Sequence, residues 1–571
     1  MKEIDFSDIR IRGDLAVRSG LNYARLEGEW YRPDEVFKAD SHGWPGDWEG
    51  RALLALTLLE QSTHRASAYL EETFSMLPAH LNEKGYFGPI LPEGVFDEQH
   101  FGGHSWMLRA LAEYYKYRRL PETLRLLRDM TEGFLMPALG SFRKYPIVPG
   151  RRFEEQGAWV LSRLQTKTRH HAETSDAGCA FIMIDGATAA YEFLGGTALR
   201  ELIDEMIARF MEMDLEALHI QTHATLSAAR GILRMYELTG EKRYLSMAAQ
   251  RFGLYRRAAW TEAYGNYNWF GAPRWTEPCA IIDSFIVAVT LWKHTGDAEY
   301  LHDAHLIYYN ALSHGHRING SFGTDRCCGA RGTEEREFIA PINYETYWCC
   351  TMRGGEGFSR AISYTFFTDG NAAYLPFYHA SEATLRLAGG SMRVDVASHY
   401  PYEGDIVVRV READLCAPAA LRLFIPKWAR DVSLRVNGEP VPAEERGGFA
   451  AVAREWKAGD ELRLCLRFDV RAEDAAFANS VPGKHKYLYG PMLLGYKTDV
   501  KLHSLDGNRF ENYTESRYVS GALITLQRDA VFERNGPYEF RVAGTDTVLT
   551  TLCSVRDMTR EDSMRQVLFE E

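Results

Sequence analysis

A chain of 571 residues exceeds what one ordinary hydrophobic core supports, so about two to four domains are expected. With 46% hydrophobic and 25% charged residues it has the composition of a globular protein in water. The net charge of -12 excludes nucleic acid and an anionic membrane as the expected partners.

The start, Met1-Lys2-Glu3-Ile4-Asp5-Phe6, lacks a basic region followed by an apolar run, so no signal peptide is expected. No apolar stretch is long enough to cross a bilayer, which makes a cytoplasmic location the expectation. Thiols stay reduced there, and the nine cysteines read as metal-binding or catalytic groups before disulfides. Cys179, Cys416, Cys465 and Cys553 stand isolated in apolar context and read as core residues.

From about Gly50 to Leu312 the apolar residues recur at three- and four-residue spacing, as in Ala52–Leu59, Trp106–Tyr117, Ala224–Tyr236 and Ala280–Lys293. A refrain marks the helix junctions. Leu238-Thr239-Gly240-Glu241-Lys242-Arg243-Tyr244-Leu245 returns as His294-Thr295-Gly296-Asp297-Ala298-Glu299-Tyr300-Leu301, with a weaker copy at Leu194-Gly195-Gly196. Each glycine can close a helix in the left-handed conformation. Helical hairpins in series predict an α-solenoid or an (α/α)-barrel, and periodicity alone does not choose.

Near Asn371 the pattern changes to short strands: Ala383–Leu387, Met392–Val396, Ile406–Val410, Leu421–Ile425 and Glu461–Leu466. Asn437-Gly438 predicts a tight hairpin. Regular short strands predict a β-sandwich, followed after Val481-Pro482-Gly483 by a mostly β tail. The expected class is multidomain α+β: a helical unit over 1–370, a sandwich over 371–480 and a small β module over 481–571.

The chemistry gathers at Trp275-Thr276-Glu277-Pro278-Cys279 and Tyr347-Trp348-Cys349-Cys350. Glu277, Cys279, Cys349 and Cys350 supply three thiols and a carboxylate, a set suited to tetrahedral zinc. Residues two apart on a helix point to nearly opposite sides, so Glu277 and Cys279 can share an ion only where the backbone is irregular. Pro278 fits a helix that begins there. The alternatives are unrelated buried thiols, or ligands from the second adjacent pair, Cys327-Cys328; spacing leaves both open.

With these motifs the run from Glu262 to about Lys497 resembles glycoside hydrolase family 127, the β-L-arabinofuranosidase family. The landmarks occur in order: Glu277-x-Cys279, Cys349-Cys350, Tyr374-Leu375-Pro376-Phe377-Tyr378, Tyr400-Pro401-Tyr402-Glu403-Gly404, Ile425-Pro426-Lys427-Trp428-Ala429, Arg435–Pro440, Glu455–Asp460 and Gly490-Pro491. Gly103-His104 and His219-Ile220-Gln221-Thr222 extend the likeness into the helical half.

The resemblance implies an (α/α)-barrel followed by β-sandwich modules. It also implies zinc held by Glu277, Cys279, Cys349 and Cys350, with Cys349 as nucleophile, Glu262 as acid/base, and His104 and His219 on the sugar. Such a site is closed to water, so zinc would serve to keep a cysteine deprotonated for attack on C1, the double displacement of retaining glycosidases.

The sequence departs from the family at Thr351-Met352-Arg353 after the cysteine pair, at Pro278, and in a Glu262–Glu277 interval one residue short. Arg353 reads as a local ion-pair partner, with an acidic sugar as the alternative. Asp47-Trp48-Glu49 and His170-His171 are weaker candidates for the pocket rim.

The expected partner is a small carbohydrate, and a homodimer is compatible with this reading. A zinc-containing carbohydrate-binding or scaffold protein without turnover is the second function class. An aspartate-dependent barrel enzyme such as an unsaturated uronyl hydrolase would leave the cysteines unexplained.

Overall fold

The computed structural model describes residues 1–38, 43–149, 159–161, 177–273, 275–331, 336–346, 349–477, 479–497, 523–554 and 564–571. Twelve of its helices alternate between two positions. They are α1 (Gly13–Leu26), α2 (Asp47–Thr63), α3 (Leu70–Met76), α4 (Glu98–Arg118), α5 (Pro121–Met130), α6 (Met183–Leu194), α7 (Thr197–Glu212), α8 (Thr222–Thr239), α9 (Lys242–Ala258), α10 (Pro278–Thr295), α11 (Glu299–Leu306) and α12 (Cys350–Ser363).

The even-numbered helices form a closed ring: α2 packs on α4, α4 on α6, α6 on α8, α8 on α10, α10 on α12, and α12 back on α2. The odd-numbered helices lie against them, α5 on α4, α7 on α6, α9 on α8 and α11 on α10. The sequences differ accordingly. Ring helices such as α2 and α10 are buried on nearly every side, whereas α9 buries only Tyr244, Ala248, Arg251, Phe252, Tyr255 and Ala258. Glycine lets the ring close tightly: a Cβ on Gly50 of α2 would stand 2.4 Å from the Met107 nitrogen of α4.

The junction glycines behave as the refrain predicts. Gly240 and Gly296 end α8 and α10 at φ 73° and 73°. Asn437 and Gly438, both at positive φ, turn the hairpin between Val432–Val436 and Glu439–Val441.

From Phe367 onward strands follow in series and, with two strands from the amino terminus, build two sheets. One runs Lys2–Glu3, Phe367–Asp369, Ala372–Leu375, Ala419–Phe424, Phe449–Arg454, Glu444–Arg446; the other runs Glu439–Val441, Val432–Val436, Glu461–Leu466, Asp405–Leu415, Gly390–Ser398, Ser381–Leu387, Ile9–Ile11. Leu421 and Leu423 of the first and Val394, Val396, Ile406 and Val408 of the second enter one core. The amino terminus thus contributes a strand to each sheet, which no local pattern in Lys2–Ile11 announces.

A third sheet joins Val470–Asp474 to His485–Tyr489, Met492–Lys497, Val548–Thr551, Glu539–Val542 and Phe532–Arg534. Arg565–Gln566 pairs Met492–Lys497 on one side and Phe338–Ile339 on the other, tying the carboxyl-terminal strands to the loops before α12. Among the described residues no helix is long and apolar enough to cross a membrane.

Two of the four isolated cysteines differ from the sequence expectation. Cys179 and Cys553 are buried, but Cys465 is partly exposed and Cys416 exposed. Cys465 falls at a half-buried position of the strand Glu461–Leu466. Cys416 follows the end of the strand Asp405–Leu415, where its amide donates to the Gly389 carbonyl beside the neighbouring strand.

Candidate metal centre

Two neighbouring ring helices begin at the same place. Glu277 is the residue before α10, in extended backbone (φ −123°, ψ 113°), Pro278 opens the helix, and Cys279 lies in its first turn. Cys349 holds the equivalent place before α12 with non-helical backbone (φ −140°, ψ −61°), and Cys350 is the first helical residue. This irregular backbone is what the adjacent cysteines and the Glu-x-Cys spacing require. Both helix N-termini point their partial positive charge at the sulfurs, which favours thiolates and carboxylates.

The Cys279 Sγ stands 3.7 Å and the Cys349 Sγ 3.4 Å from the Cys350 Sγ. Two groups of potential ligands share Cys279: Cys279 with Cys349 and Cys350, and Cys279 with His223 and Glu277, each with its ligand atoms within 4.8 Å of one another. Three sulfurs on a tetrahedral zinc at about 2.3 Å would be about 3.8 Å apart. The thiols are near the spacing such an ion needs, and thiolate, imidazole and carboxylate are donors that zinc takes, although Glu277 groups with Cys279 and His223 rather than with Cys349 and Cys350.

The Glu277 carboxylate is held from the protein side. His223 Nδ1 is 3.2 Å from Oε1, Gln221 Nε2 donates to Oε2 at 3.4 Å, and the Asn268 amide, turned to face it, donates to Oε2 as well. Arg51 Nη1 donates to the Cys279 Sγ at 3.5 Å, and its Nε donates to both Asp47 oxygens at 2.9 Å.

Burial and charge set the protonation states. Burial pushes the Cys279 thiol up, but hydrogen bonds from Cys349 and Cys350 and the charges of Arg51 and His223 outweigh it and hold Cys279 well below the usual thiol value. The Cys349 thiol is pushed up by its bond to Cys279, and Cys350 chiefly by burial. Burial also pushes Asp47 up to about 6 against the pull of Arg51. His223 is raised: burial opposes its charge, and Glu277 and Cys279 win.

Among the described residues, the remaining sequence candidates enter neither ligand group. Glu262 is buried with both oxygens taken: Oε1 accepts from the Ser480 hydroxyl and the Phe477 amide (3.1 Å), and Oε2 from Lys486 Nζ at 2.7 Å. His104 is fully buried and stacked on Phe134 at 3.9 Å. Its Nδ1 faces the His100 carbonyl at 2.8 Å, and its Nε2 accepts the Phe87 amide at 3.1 Å, so neither ring nitrogen is left for a sugar. His219 is exposed at positive φ (49°), with Nδ1 bonded to the Phe270 carbonyl.

Arg353, the departure after the cysteine pair, is buried in ion pairs with Asp283 and Glu356. Cys327 and Cys328 enter neither ligand group among the described residues; burial raises both thiols. Of Asp47-Trp48-Glu49, all buried in the first turn of α2, Asp47 reaches the centre through Arg51. His170-His171, Tyr347 and Trp348 lie outside the described residues.

His223 and Arg51 escaped the sequence reading. His223 directly follows the His219–Thr222 motif and could have been found from it. Arg51 forms only an ordinary i,i+4 pair with Asp47, and nothing in the sequence ties it to a cysteine 228 positions on.

Residues 372–468 match the family model for the β-L-arabinofuranosidase, GH127 middle domain. No curated protein matches the chain. Among solved structures, a GH127 β-arabinofuranosidase superposes with a TM-score of 0.66 at 14% identity, covering 100% of this chain and 97% of its own. A GH127 β-L-arabinofuranosidase from Geobacillus stearothermophilus T6 does so with a TM-score of 0.63 at 14% identity, covering 99% and 100%. At that identity the superpositions speak to fold, and the family resemblance read from the motifs is borne out by the match over 372–468.

Proposed function

As a divergent relative of glycoside hydrolase family 127, this chain, we propose, is a retaining exo-acting glycosidase of β-L-arabinofuranosidase type. Its substrates are short oligosaccharides or glycosides. The closed ring of six helices within outer helices supports reading the helical half, 1–370, as an (α/α)-barrel. The two sheets over 371–480, with the amino-terminal strands added, read as a β-sandwich, and 481–571 with Val470–Asp474 as a small third module.

Glu277, Cys279, Cys349 and Cys350 would hold zinc, which when bound keeps thiols deprotonated near neutral pH. Cys349 attacks C1 of the sugar, and its C–S bond forms as the glycosidic C–O bond breaks. Glu262, once released from Lys486 and Ser480, gives a proton to the leaving oxygen, then takes one from the water that displaces the sulfur, restoring the configuration. His219, which is exposed, would meet a sugar hydroxyl. The observation that carries the choice of Cys349 is its exposure: Cys279 and Cys350 are sealed at 0%, whereas Cys349 is partly open.

The test is a panel of aryl glycosides including L-arabinofuranosides, with the anomer of the first product followed by NMR. Retention is expected, and inversion would overturn the double displacement.

One observation favours a second reading, a zinc-containing carbohydrate-binding protein without turnover: Glu262 is engaged by Lys486, Ser480 and the Phe477 amide. Zinc-loaded protein that binds sugars yet cleaves no member of the panel would decide for it.

A further inference from the structure

Three thiolates and a carboxylate around one divalent ion leave a net charge of roughly −2. Burying such a charge without a counter-cation is costly. Among the described residues the cation in hydrogen-bond contact with a sulfur is Arg51, 3.5 Å from Cys279. Arg353 is already committed to Asp283 and Glu356, and His223 lies on the Glu277 side.

Arg51 is fixed on every side. Its Nε is clamped by both oxygens of Asp47, its guanidinium lies 4.0 Å over the Trp106 ring, and its side chain is 5% exposed. A guanidinium N–H donated to a thiolate draws on the lone pairs the sulfur would use for attack. Cys349 and Cys350 receive no such donor among the described residues; their sulfur contacts are within the thiol cluster.

We infer that Arg51, clamped by Asp47, is a positioning residue that holds Cys279 as a fixed, unreactive metal thiolate and so leaves attack to Cys349. The inference rests on the zinc reading proposed above. It gives a physical ground for unequal thiol roles and explains why a paired Asp and Arg stand buried beside a sulfur cluster. Outer residues that bond a metal ligand commonly change metal affinity when replaced.

The zinc-loaded full chain and its Arg51→Met, Arg51→Lys and Asp47→Asn variants are compared in two ways. Zinc affinity is read by competition with a chromophoric chelator, and thiol reactivity by iodoacetamide labelling with peptide mapping. In the unaltered chain the label is expected on Cys349, with Cys279 protected. Arg51→Met is expected to weaken zinc binding by roughly 10- to 100-fold and to admit label at Cys279. Arg51→Lys, which keeps the cation, is expected to regain part of both, and Asp47→Asn to fall between.

Unchanged affinity and unchanged label position in Arg51→Met overturn the inference. Should that variant lose its circular-dichroism signature of folding, Asp47→Asn decides, and protection of Cys279 equal to that of the unaltered chain overturns it. Label on Cys279 in the unaltered, zinc-loaded chain overturns the inference alone. An unaltered chain that takes up no zinc overturns the reading beneath it.

Discussion

The Cys279 and Cys350 sulfurs lie 3.7 Å apart across 71 residues of sequence. They meet because α10 and α12 are neighbours in the ring and start at the same end of it. Zinc would cross-link the starts of two ring helices that are far apart in sequence, so its loss should be felt in stability as well as chemistry.

Purified protein is accordingly expected to hold about one zinc per chain. Cys279→Ser should lower both metal content and melting temperature, while Cys327→Ser and Cys328→Ser should leave the metal in place. Metal analysis alongside thermal unfolding checks this. Full zinc in Cys279→Ser, with loss in the Cys327 and Cys328 variants, would move the site.

An electrophilic sugar mimic such as a cyclophellitol-type epoxide should label Cys349, the partly open thiol. Peptide mass spectrometry locates the adduct. Label on Cys350 instead would keep the chemistry and shift the nucleophile by one residue.

Glu262 and Lys486 form a buried pair joining a loop before α10 to the third sheet. Lys486→Met leaves a carboxylate without its cation and should cost about 3–5 kcal/mol in denaturant unfolding. Glu262→Gln should keep zinc while lowering turnover by roughly 10²- to 10⁴-fold if Glu262 is the acid/base. Turnover unchanged in Glu262→Gln would falsify the catalytic role and leave the ion pair as its whole contribution.

Asp303 on α11 is buried with Arg256 Nη2 at 3.1 Å from Oδ1, and burial pushes it up to about 7 against that pull. Because the folded state keeps this proton that the unfolded chain releases near 3.8, the stability it contributes is complete below pH 4 and lost as pH rises to about 7. Asp303→Asn should remove that slope, worth at most roughly 4 kcal/mol between the two ends. Urea unfolding at pH 5 and pH 8 measures it, and an identical pH dependence in the variant would refute the assignment.

The local elements and the ligand types were legible from residue order alone. Periodicity located α2, α4, α8 and α10, glycine refrains the ends of α8 and α10, and Asn437-Gly438 its hairpin. A helix start was readable in Pro278, because proline is restricted to first turns. Those are consequences of neighbours along the chain. The rest depends on contacts across it. The ring closes because α12 packs back on α2, the amino-terminal strands complete two distant sheets, and Arg51 meets Cys279. His104 illustrates the same limit. Its motif pointed to a sugar, yet the His100 carbonyl and the Phe87 amide take both its nitrogens, since a buried polar atom must find its partner wherever packing puts one.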